Sequence, residues 1–422
     1  MYQRLIVSVL FVVSLAACGS AQIWYVHPSG SDDPNGSSQK PFATIEQALS
    51  VTQDADTVVL MPGVYTGPGN YDLAIPEVTL TIRSSEPENW DIIAQTVIDP
   101  AQAGGVFILE NGLGLVTVEG ITFQNAVKQY PPYDYPHGAA LYCDNAAVVI
   151  RDCCFLNCQA FLGGALYFDG SQVFIQNSVF AGNQGWNGGA LVSDNGSVVQ
   201  MEHCTLVGNQ ATFYGGGASC EFESVLTVKS SIVWGNTLTE IAGLGTQILL
   251  GQQSEMLIEY TSIEGDVDGI GYEESSTLTR GEGVIDVDPL FAYVDGQESA
   301  LLWDLHLKSA WGRWDPAAGQ WVSDAQTSPC IDAGAVDADY TGEPWPNGRR
   351  ANIGAFGNTA QASRFGNSAD LDIDGQVNGV DLALLAAVWM DAPTEYEDFD
   401  GSGIVGLSDF AVLAANWLWQ MP

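Results

Sequence analysis

Residues 141–165 read LYCDNAAVVIRDCCFLNCQAFLGGA, and residues 166–190 read LYFDGSQVFIQNSVFAGNQGWNGGA. The two segments have the same length and align without a gap, so Leu141 and Leu166 begin equivalent units. Residues 191–218, LVSDNGSVVQMEHCTLVGNQATFYGGGA, continue the pattern as a slightly longer unit. Within each unit apolar and polar residues alternate, and Gly and Asn separate the short alternating runs. This pattern predicts short β-strands joined by tight turns.

Looser copies of the unit lie on both sides of these segments. LVTVEGITFQNA (115–126) precedes them, and VLTVKSSIVWGN (225–236) and MLIEYTSIEGD (256–266) follow them. A fixed period of this length is typical of stacked units that cannot bury their apolar faces alone. The sequence therefore predicts an all-β chain whose main part is a parallel β-solenoid.

The overall charge of the chain excludes some functions. The 422 residues include 51 Asp and Glu but 12 Lys and Arg, which gives a formal net charge of −39. A field of this sign repels phosphate backbones and anionic lipid surfaces, so we expect no nucleic-acid partner. Acidity of this size is typical of a solvated surface, of calcium sites, or of both.

Two short motifs in the repeats resemble those of right-handed parallel β-helix proteins, including polymorphic outer-membrane proteins. These motifs are Gly188-Gly189-Ala190-Leu191 and Phe180-Ala181-Gly182-Asn183. Residues 25–49 and 56–67 resemble the N-terminal cap and first coil of pectate-lyase-like members, and residues 328–358 resemble their C-terminal cap. The resemblance implies a right-handed parallel β-helix. It implies no single activity, because that fold occurs in lyases, hydrolases, adhesins and stalks.

Stacking of coils places equivalent residues about 4.8 Å apart, so each repeat position becomes a column on the solenoid. Asp144, Asp169 and Asp194 occupy one such column, shortly after Gly-Gly-Ala. Close carboxylates repel each other unless a cation, a proton or hydrogen-bond donors lie among them. The column is therefore a candidate calcium or acid/base cluster. The alternative, which turn chemistry favours, is that each Asp caps its own turn.

An aromatic column precedes each Gly-Gly pair. It contains Phe161, Trp186 and either Phe213 or Tyr214. Stacked aromatic faces suit the apolar faces of sugar rings, so these are candidate ligand-binding residues. The alternative is a hydrophobic column that packs on the solenoid wall, the more frequent role of regularly spaced aromatics. Because this column lies in the turn that leads to the Asp column, one groove can hold both. The insertion at 127–138, which contains three tyrosines, is either a wall of that groove or an ordinary surface loop.

A third column mixes charge signs and predicts a solvated face. It comprises Glu119, Arg151, Gln176, Glu202, Lys229 and Glu259. The column beside it comprises Gly120, Asp152, Asn177, His203, Ser230 and Tyr260, and Asn177 resembles a turn residue of β-helices. His203 next to Glu202 is a candidate acid/base pair. We discount this pair, because adjacent strand residues point to opposite faces.

A pectate-lyase-like activity requires calcium-binding carboxylates and a basic residue that takes the proton α to the uronate carboxyl. Arg151 is the one Lys or Arg in the three best-aligned coils. Arg151, Asp144, Asp169 and Asp194 are therefore the candidate catalytic residues of this alternative, without a complete site around them.

The C-terminal part of the chain, residues 366–422, contains two similar acidic loops. They read DLDIDGQVNGVD (370–381) and DFDGSGIVGLSD (398–409). Oxygen ligands at positions 1, 3 and 5, glycine at 6, an apolar residue at 8 and an acid at 12 match a calcium loop. The candidate ligands of the first loop are Asp370, Asp372, Asp374, the Gln376 carbonyl, Asn378 and Asp381. Those of the second loop are Asp398, Asp400, Ser402, the Ile404 carbonyl and Asp409.

Each loop precedes a helix-patterned stretch, with Trp389 and Trp417 at equivalent positions. The duplicated unit resembles a dockerin, which has Asp at position 12 and one helix per loop. The resemblance implies calcium as the cofactor and a cohesin-like domain as the partner. Ser402 and Gly406 depart from the pattern, because they reduce the charged ligands of the second loop. The partner-reading positions, 10 and 11 of each loop, are Gly379-Val380 and Leu407-Ser408, so the resemblance does not imply a particular cohesin specificity.

The N-terminus has the features of an export signal. Arg4 precedes an apolar stretch over residues 5–17, which is short for a membrane span, so we expect no transmembrane segment after its removal. Leu15-Ala16-Ala17-Cys18 resembles a lipobox and implies a lipid anchor at Cys18. Gly19-Ser20-Ala21 instead suits release of a free secreted protein. The predicted domains are the signal peptide (1–21), the β-helix with N- and C-terminal caps (22–365) and the dockerin-like module (366–422).

Seven cysteines follow Cys18, an odd number without the spacing of a disulfide framework. Cys153, Cys154 and Cys158 lack the second pair of a zinc site. We therefore expect buried free thiols.

The sequence favours two classes of function. The first is an exported carbohydrate-binding or structural protein, extracellular or at the cell surface, attached to a partner through the calcium module. The alternative is a polysaccharide lyase or glycoside hydrolase acting in the β-helix groove. Dockerin-like modules commonly deliver polysaccharide-degrading enzymes, which favours the second class. The incomplete catalytic constellation favours the first.

Overall fold

The computed structural model describes residues 20–30, 33–110, 114–128, 136–240, 243–393, 396–399 and 402–420. The predicted export signal with Cys18, the three tyrosines of the insertion (Tyr130, Tyr133, Tyr135) and Asp400 lie outside these ranges. Within the described ranges, no helix is long and apolar enough to cross a membrane.

Three parallel sheets form the walls of the solenoid in the described part of the chain. Sheet 1 has ten strands: Ile23–Val26, Asp56–Leu60, Leu80–Ser84, Leu115–Glu119, Ala147–Arg151, Gln172–Gln176, Val198–Glu202, Val225–Lys229, Glu255–Glu259 and Thr277–Arg280. Sheet 2 has eight: Leu73–Ala74, Phe107–Glu110, Leu141–Asp144, Leu166–Asp169, Leu191–Asp194, Ala218–Cys220, Ile248–Leu250 and Ile270–Tyr272. Sheet 3 has eight: Gly63–Tyr65, Thr96–Ile98, Thr122–Gln124, Cys154–Leu156, Val179–Ala181, Thr205–Val207, Ile232–Trp234 and Ser262–Ile263.

Each coil passes from sheet 2 to sheet 1 to sheet 3 and then enters sheet 2 of the next coil. A small sheet 4 lies on the last of these connections, with strands Gln184–Asn187, Gln210–Tyr214 and Thr237–Leu238. The α-helices of the described residues are Ile45–Leu49, Trp90–Ile93, Gly379–Ala387 and Leu407–Ala415. Short 3₁₀ helices span Asp266–Gly269 and Ala300–Leu302.

The strands pair in the register that the sequence period predicts. Leu141, Leu166 and Leu191 are direct neighbours in sheet 2, one in each coil. The turn before Leu191 needs glycine, because Gly188 has a φ of 58° and a Cβ there would collide with the Leu191 carbonyl oxygen. The predicted parallel β-solenoid is confirmed.

The interior of the solenoid contains stacked side chains of successive coils. The fully buried rings of Phe123, Phe155 and Phe180 are nearly parallel, with centroids 5.0 and 4.9 Å apart. Asn183, of the Phe-x-x-Asn motif, begins a buried amide ladder. The Asn183 side chain donates to Asn209 Oδ1, and the Asn209 side chain donates to the amide oxygen of Asn236, each at 2.9 Å.

The corner between sheets 1 and 3 has a left-handed residue in each coil. Gly120, Asp152, Asn177, His203, Ser230 and Tyr260 all have φ between 46° and 67°. The second of the two adjacent sequence columns is therefore a repeated turn. Asn177 of this column lies against the C-terminal part of the chain: its side chain donates to the carbonyls of Ala355 and Gly357, at 3.0 and 2.7 Å.

Residues 288–365, here called the C-terminal segment, pack along the outer face of sheet 3. The segment contains two antiparallel strand pairs: Phe291–Tyr293 with Asp304–Leu307, and Arg313–Asp315 with Gln320–Val322. Its Leu305 and Ile353 form one core cluster with Val179 and Val207 of sheet 3. The stretch that resembles a C-terminal cap thus covers a wall of the solenoid, because sheet 3 is apolar on both faces.

The described cysteines after Cys18 form no disulfide. They are Cys143, Cys153, Cys154, Cys158, Cys204, Cys220 and Cys330, of which Cys154 alone is partly exposed. Burial raises the pKa of the thiols, for example that of Cys158 to about 12. For the six cysteines other than Cys154, this agrees with the expectation of buried free thiols.

Candidate functional site

The predicted aromatic column forms a stack on the outside of the solenoid. The Trp186 ring lies between Phe161, with centroids 5.6 Å and planes 23° apart, and Phe213, with centroids 4.9 Å and planes 47° apart. Trp186 is 42% exposed, and Tyr214, whose ring is 6.2 Å from that of Phe213, is also exposed. Phe161, Trp186 and Phe213, here called the aromatic stack, present flat apolar surface across three coils.

The position after the aromatic stack faces the outer side of sheet 2. In this column His137 packs on Tyr167, with ring centroids 4.3 Å apart. Asn187 of the same column donates a hydrogen bond of 3.3 Å to Glu221. Two columns therefore lie between the aromatic stack and the carboxylates of sheet 2: this one, and the column of Tyr142, Tyr167 and Val192.

The Asp column on sheet 2 is longer than the repeats suggest. Asp144, Asp169 and Asp194 are in register in adjacent strands. Glu110 pairs with Asp144 on one side, and Glu221 directly follows the strand next to Asp194 on the other. These five residues, here called the carboxylate column, run across five coils.

Hydrogen bonds tie the carboxylate column together. Both carboxylate oxygens of Asp169 accept from the Asn195 side chain of the next coil, at 3.1 Å. Asp194 accepts from the Tyr167 hydroxyl at 2.8 Å and from the Asn195 backbone N–H at 2.9 Å. The local bond from the Asn195 N–H is the turn capping that was one of the two interpretations of this column. Asp194 also accepts a bond from another coil, through Tyr167.

Two members of the column bind protons more tightly than ordinary carboxyls. Burial raises the pKa of Asp194, and the donors Tyr167 and Asn195 act against this shift. Burial also raises the pKa of Glu221, although the Ser219 hydroxyl donates to it at 2.6 Å. A raised pKa moves a carboxyl toward the range in which general acids operate.

Arg151 does not join the Asp column. It lies on sheet 1, with Nη1 3.1 Å from Glu119 Oε1 and the guanidinium 5.9 Å from the Phe174 ring centroid. Asp144, close to Arg151 in sequence, instead accepts a 2.6 Å hydrogen bond from the Asn145 side chain. The corner between sheets 2 and 1 separates the two residues, so the structure does not assemble the candidate lyase site.

His203 lies at the corner between sheets 1 and 3 and is buried by the C-terminal segment near Asn352 and Gly357. Burial lowers its pKa to about 4. His203 is therefore a neutral packing residue at physiological pH.

The first predicted calcium loop is closed by two aspartates. Asp370 Oδ2 accepts from the Gly375 N–H at 2.9 Å. The buried Asp381 accepts from the Leu371 and Asn378 N–H groups, each at 2.7 Å. Both ends of the loop are thus fixed by carboxylates at positions 1 and 12.

The second loop repeats this pattern at the same loop positions. Asp398 Oδ2 accepts from the Gly403 N–H at 2.6 Å, and Asp409 accepts from the Phe399 and Gly406 N–H groups at 2.7 Å each. The helices Gly379–Ala387 and Leu407–Ala415 both begin at position 10 of their loops. The duplication in the sequence is therefore a duplication of backbone geometry.

The first loop has the donor set of a cation site. Carboxylate oxygens of Asp370, Asp372 and Asp374 lie within 4.8 Å of one another, the one such group of three among the described residues. Burial raises the pKa of Asp370 to about 6, and neighbouring carboxylates including Asp381 add to the shift. A divalent cation with oxygen ligands relieves this repulsion, so these residues fit calcium.

Sequence reasoning missed Glu110, Glu221, Tyr167 and Asn187. A repeat alignment extended by one coil on each side would have placed the two glutamates in the Asp column. The hydrogen bonds of Tyr167 and Asn187 carry no comparable signal, because they depend on side chains that reach from one coil to another.

The model of the family "Right handed beta helix region" matches residues 82–245 and 139–282. Together with the stacked parallel sheets, this match identifies the solenoid as a right-handed parallel β-helix, as the sequence predicted. No curated protein matches the chain.

Three similar solved structures are polysaccharide lyases. Pectate lyase Pel9A has 13% identity and a TM-score of 0.41, covering 81% of this chain and 97% of that one. A rhamnogalacturonan lyase has 13% identity and a TM-score of 0.43, covering 73% and 97%. The PL6 family alginate lyase AlyGC has 16% identity and a TM-score of 0.32, covering 65% and 41%.

Proposed function

We propose that the protein is an exported, carbohydrate-binding β-helix protein that is displayed or assembled through a calcium-dependent C-terminal module. The observation that carries the proposal is the aromatic stack, in which Trp186 is 42% exposed between Phe161 and Phe213. Removing large apolar rings from water lowers the free energy, so an exposed stack of such rings is typical of a binding surface.

Sugar rings suit this surface because one or both of their faces carry C–H groups, while their hydroxyls point outward from the ring edge. An aromatic ring covers the C–H face. The hydroxyls then find an acceptor beyond Asn187, where Glu221 of the carboxylate column lies. The acidity of this column disfavours anionic uronates and favours uncharged sugars.

Calcium is the proposed cofactor of the C-terminal module, residues 366–422. In the first loop it is held by Asp370, Asp372, Asp374, the Gln376 carbonyl, Asn378 and Asp381. In the second it is held by Asp398, Asp400, Ser402, the Ile404 carbonyl and Asp409. The module contains no Lys or Arg, so the bound cation supplies the positive charge that its carboxylates lack.

A cohesin-like domain is the proposed partner of the dockerin-like module. Val380 and Leu384 are exposed on the first helix of the module, and Leu407 and Phe410 on the second. Apolar side chains on helix surfaces bind a partner by burying area against it. Calcium acts on this interaction by fixing the loops that begin the two helices.

Export follows from the signal features of residues 1–21. Cleavage before Cys18 gives a lipid-anchored protein, and cleavage after Ala21 gives a freely secreted one. Mass spectrometry of the mature N-terminus distinguishes these two locations.

A second candidate function is a polysaccharide lyase or glycoside hydrolase that acts at the carboxylate column. The raised pKa values of Asp194 and Glu221 favour it, because general acids need a carboxyl that keeps its proton. Asp144 and Asp169 are further members of this set. Arg151 is not, since it lies on sheet 1.

A polysaccharide panel with the mature protein, in calcium and in chelator, tests these functions. Retention on a glycan without turnover supports the carbohydrate-binding proposal. Ultraviolet absorbance of unsaturated uronates, or release of reducing ends, supports the enzyme. A protein that neither binds nor cleaves any glycan contradicts both.

A further inference from the structure

Three glutamine side chains form a row on the outside of the solenoid, at the beginning of sheet 4. Gln159, Gln184 and Gln210 are direct neighbours in successive coils, and Thr237 continues the row. All four residues are exposed. Adjacent members lie about 4.8 Å apart, the strand spacing of the solenoid.

These side-chain amides have no hydrogen-bond partner among the described residues. Asn183 and Asn209, which directly precede Gln184 and Gln210, instead have fully bonded, buried amides. Each primary amide offers one acceptor and two donors. Gln159, Gln184 and Gln210, here called the amide row, thus present the same unused hydrogen-bonding group at every coil.

The C-terminal segment forms one wall of a cleft along the amide row. The Asn157 side chain donates to the Ser299 hydroxyl at 2.7 Å, which fixes the segment to the solenoid. The Trp303 indole lies over Gly208, where an added Cβ would come within 2.5 Å of Cη2. The cleft has a volume of about 660 Å³, and Glu298 is the one charged residue that lines it in the described structure.

The aromatic stack borders the amide row on its other side. Gln184 and Trp186 are two residues apart in one strand, and both are exposed. Gln159 and Phe161 have the same separation in the preceding coil. Alternate residues of a strand point to the same face, so amides and aromatic rings share one outer surface.

We propose that the amide row, between Trp303 and the aromatic stack, binds an uncharged, extended polysaccharide that runs parallel to the solenoid axis. This inference deepens the proposed carbohydrate-binding function and rests on it for the class of ligand. Sugar hydroxyls both donate and accept, which matches the two kinds of group on each amide. A regular polymer repeats its hydroxyls, as the row repeats its amides.

No Lys or Arg lines the described cleft, which argues against an anionic chain. A protein of net charge −39 repels polyuronates and sulfated glycans, and the amide row offers no positive charge that would compensate. The proposal therefore commits to neutral glycans.

Isothermal titration calorimetry of the mature full-length chain in calcium tests the proposal. The probes are β-1,4-linked hexasaccharides of glucose, mannose and xylose, with the galacturonate hexasaccharide as the charged comparison. We expect at least one neutral hexasaccharide to bind more tightly than the galacturonate. Tighter binding of the galacturonate than of every neutral probe overturns the proposal.

The variant that combines Gln159→Ala, Gln184→Ala and Gln210→Ala should bind the best neutral probe at least tenfold more weakly. Its melting temperature should not change, because the three side chains are exposed and unbonded. Gln200→Ala, on the outer face of sheet 1, is the matched control and should bind as the wild type does.

The outcomes separate this proposal from the broader one. Wild-type affinity in the triple variant, with loss in Trp186→Ala, overturns the role of the amide row and leaves carbohydrate binding at the aromatic stack. Loss in both variants supports one continuous surface. Failure of every hexasaccharide to bind the wild type overturns both proposals.

Discussion

The Tyr167 hydroxyl donates a hydrogen bond of 2.8 Å to the carboxylate of Asp194, which belongs to the next coil. Both side chains are more than nine-tenths buried, and the Tyr167 ring stacks on Tyr142 with planes 6° apart. The bond connects two coils at the carboxylate column, where neighbouring acids would otherwise repel each other.

Tyr167→Phe should raise the pKa of Asp194 further and lower the free energy of unfolding by about 1–3 kcal/mol at neutral pH. The reason is that the buried Asp194 carboxylate loses the hydrogen bond that the Tyr167 hydroxyl donates to it. Carboxyl NMR titration measures the pKa, and thermal unfolding measures stability. Tyr142→Phe is the control, because the Tyr142 hydroxyl has no hydrogen-bond partner among the described residues. An unchanged Asp194 pKa in Tyr167→Phe would contradict this account.

Asn209→Ala should destabilise the solenoid from within. The Asn209 amide donates to the Phe180 carbonyl and to Asn236, and its oxygen accepts from the backbone and side chain of Asn183. Truncation leaves several buried groups unpaired, so we expect a loss of about 3 kcal/mol or more, measured by denaturant unfolding. Asn145→Ala, at an exposed turn, should reduce stability far less. Equal losses in the two variants would show that the buried amide ladder stabilises the solenoid no more than an exposed turn residue does.

The architecture of the solenoid could be predicted because its period is fixed. Once Leu141 aligns with Leu166 and Leu191, every other position of the coil acquires a register, including the Asp and aromatic columns. The internal Asn ladder also follows, since Asn183 and Asn209 stand at the same place in their repeats.

Other features could not be predicted, because they depend on contacts between distant segments or on short corners. The Ala355 N–H donates to Thr205 Oγ1 across 150 residues, and no repeat indicates that the C-terminal segment covers sheet 3. Arg151 lies near Asp144 in sequence, but a two-residue corner sends it to another wall. In a solenoid, residues that are close in sequence can therefore lie on different walls, whereas residues at the same repeat position lie side by side.

Trp186→Ala should weaken glycan retention roughly tenfold, equivalent to about 1.4 kcal/mol. The change removes the central ring of the aromatic stack and leaves Phe161 and Phe213 without their common neighbour. Affinity electrophoresis in the glycan that retains the wild type measures the effect. Phe222→Ala is the matched control, since Phe222 is also 42% exposed but lies in a different turn. Equal retention of the Trp186 variant and the wild type would assign the stack to packing.

Calcium should stabilise the C-terminal module by binding the folded loops and not the unfolded chain. Replacing Asp370 and Asp398 together by Asn should abolish this stabilisation and spare the solenoid, because these residues hold position 1 of each loop. Differential scanning calorimetry in calcium and in chelator measures the shift. The control variant Asp391→Asn, at an exposed position between the loops, should keep the calcium-dependent stabilisation. A wild-type melting profile that chelator does not alter would remove calcium from the proposal.

Glu343 should make the stability of the C-terminal segment depend on pH. Its Oε1 accepts from the Asn352 and Asn358 N–H groups, at 2.7 and 2.8 Å, while Oε2 is buried without a partner among the described residues. Burial raises its pKa to about 8, and the nearby Asp332 adds to this shift. In the unfolded chain the pKa of a glutamate is about 4.3.

Between these two values the folded state keeps a proton that the unfolded state has lost, so the free energy of unfolding falls as pH rises toward 8. Glu343→Gln carries no ionisable group there. The free energy of unfolding of this variant should therefore depend less on pH. It should exceed the wild-type value by a few kcal/mol above pH 8 and differ little from it near pH 5. Burial also raises the pKa of Asp332 to about 8, so part of the pH dependence should remain in the variant. Melting temperatures across this range test the prediction, with Glu255→Gln as an exposed control. A Glu343→Gln variant with the wild-type slope would show that Glu343 is ionised in the folded protein.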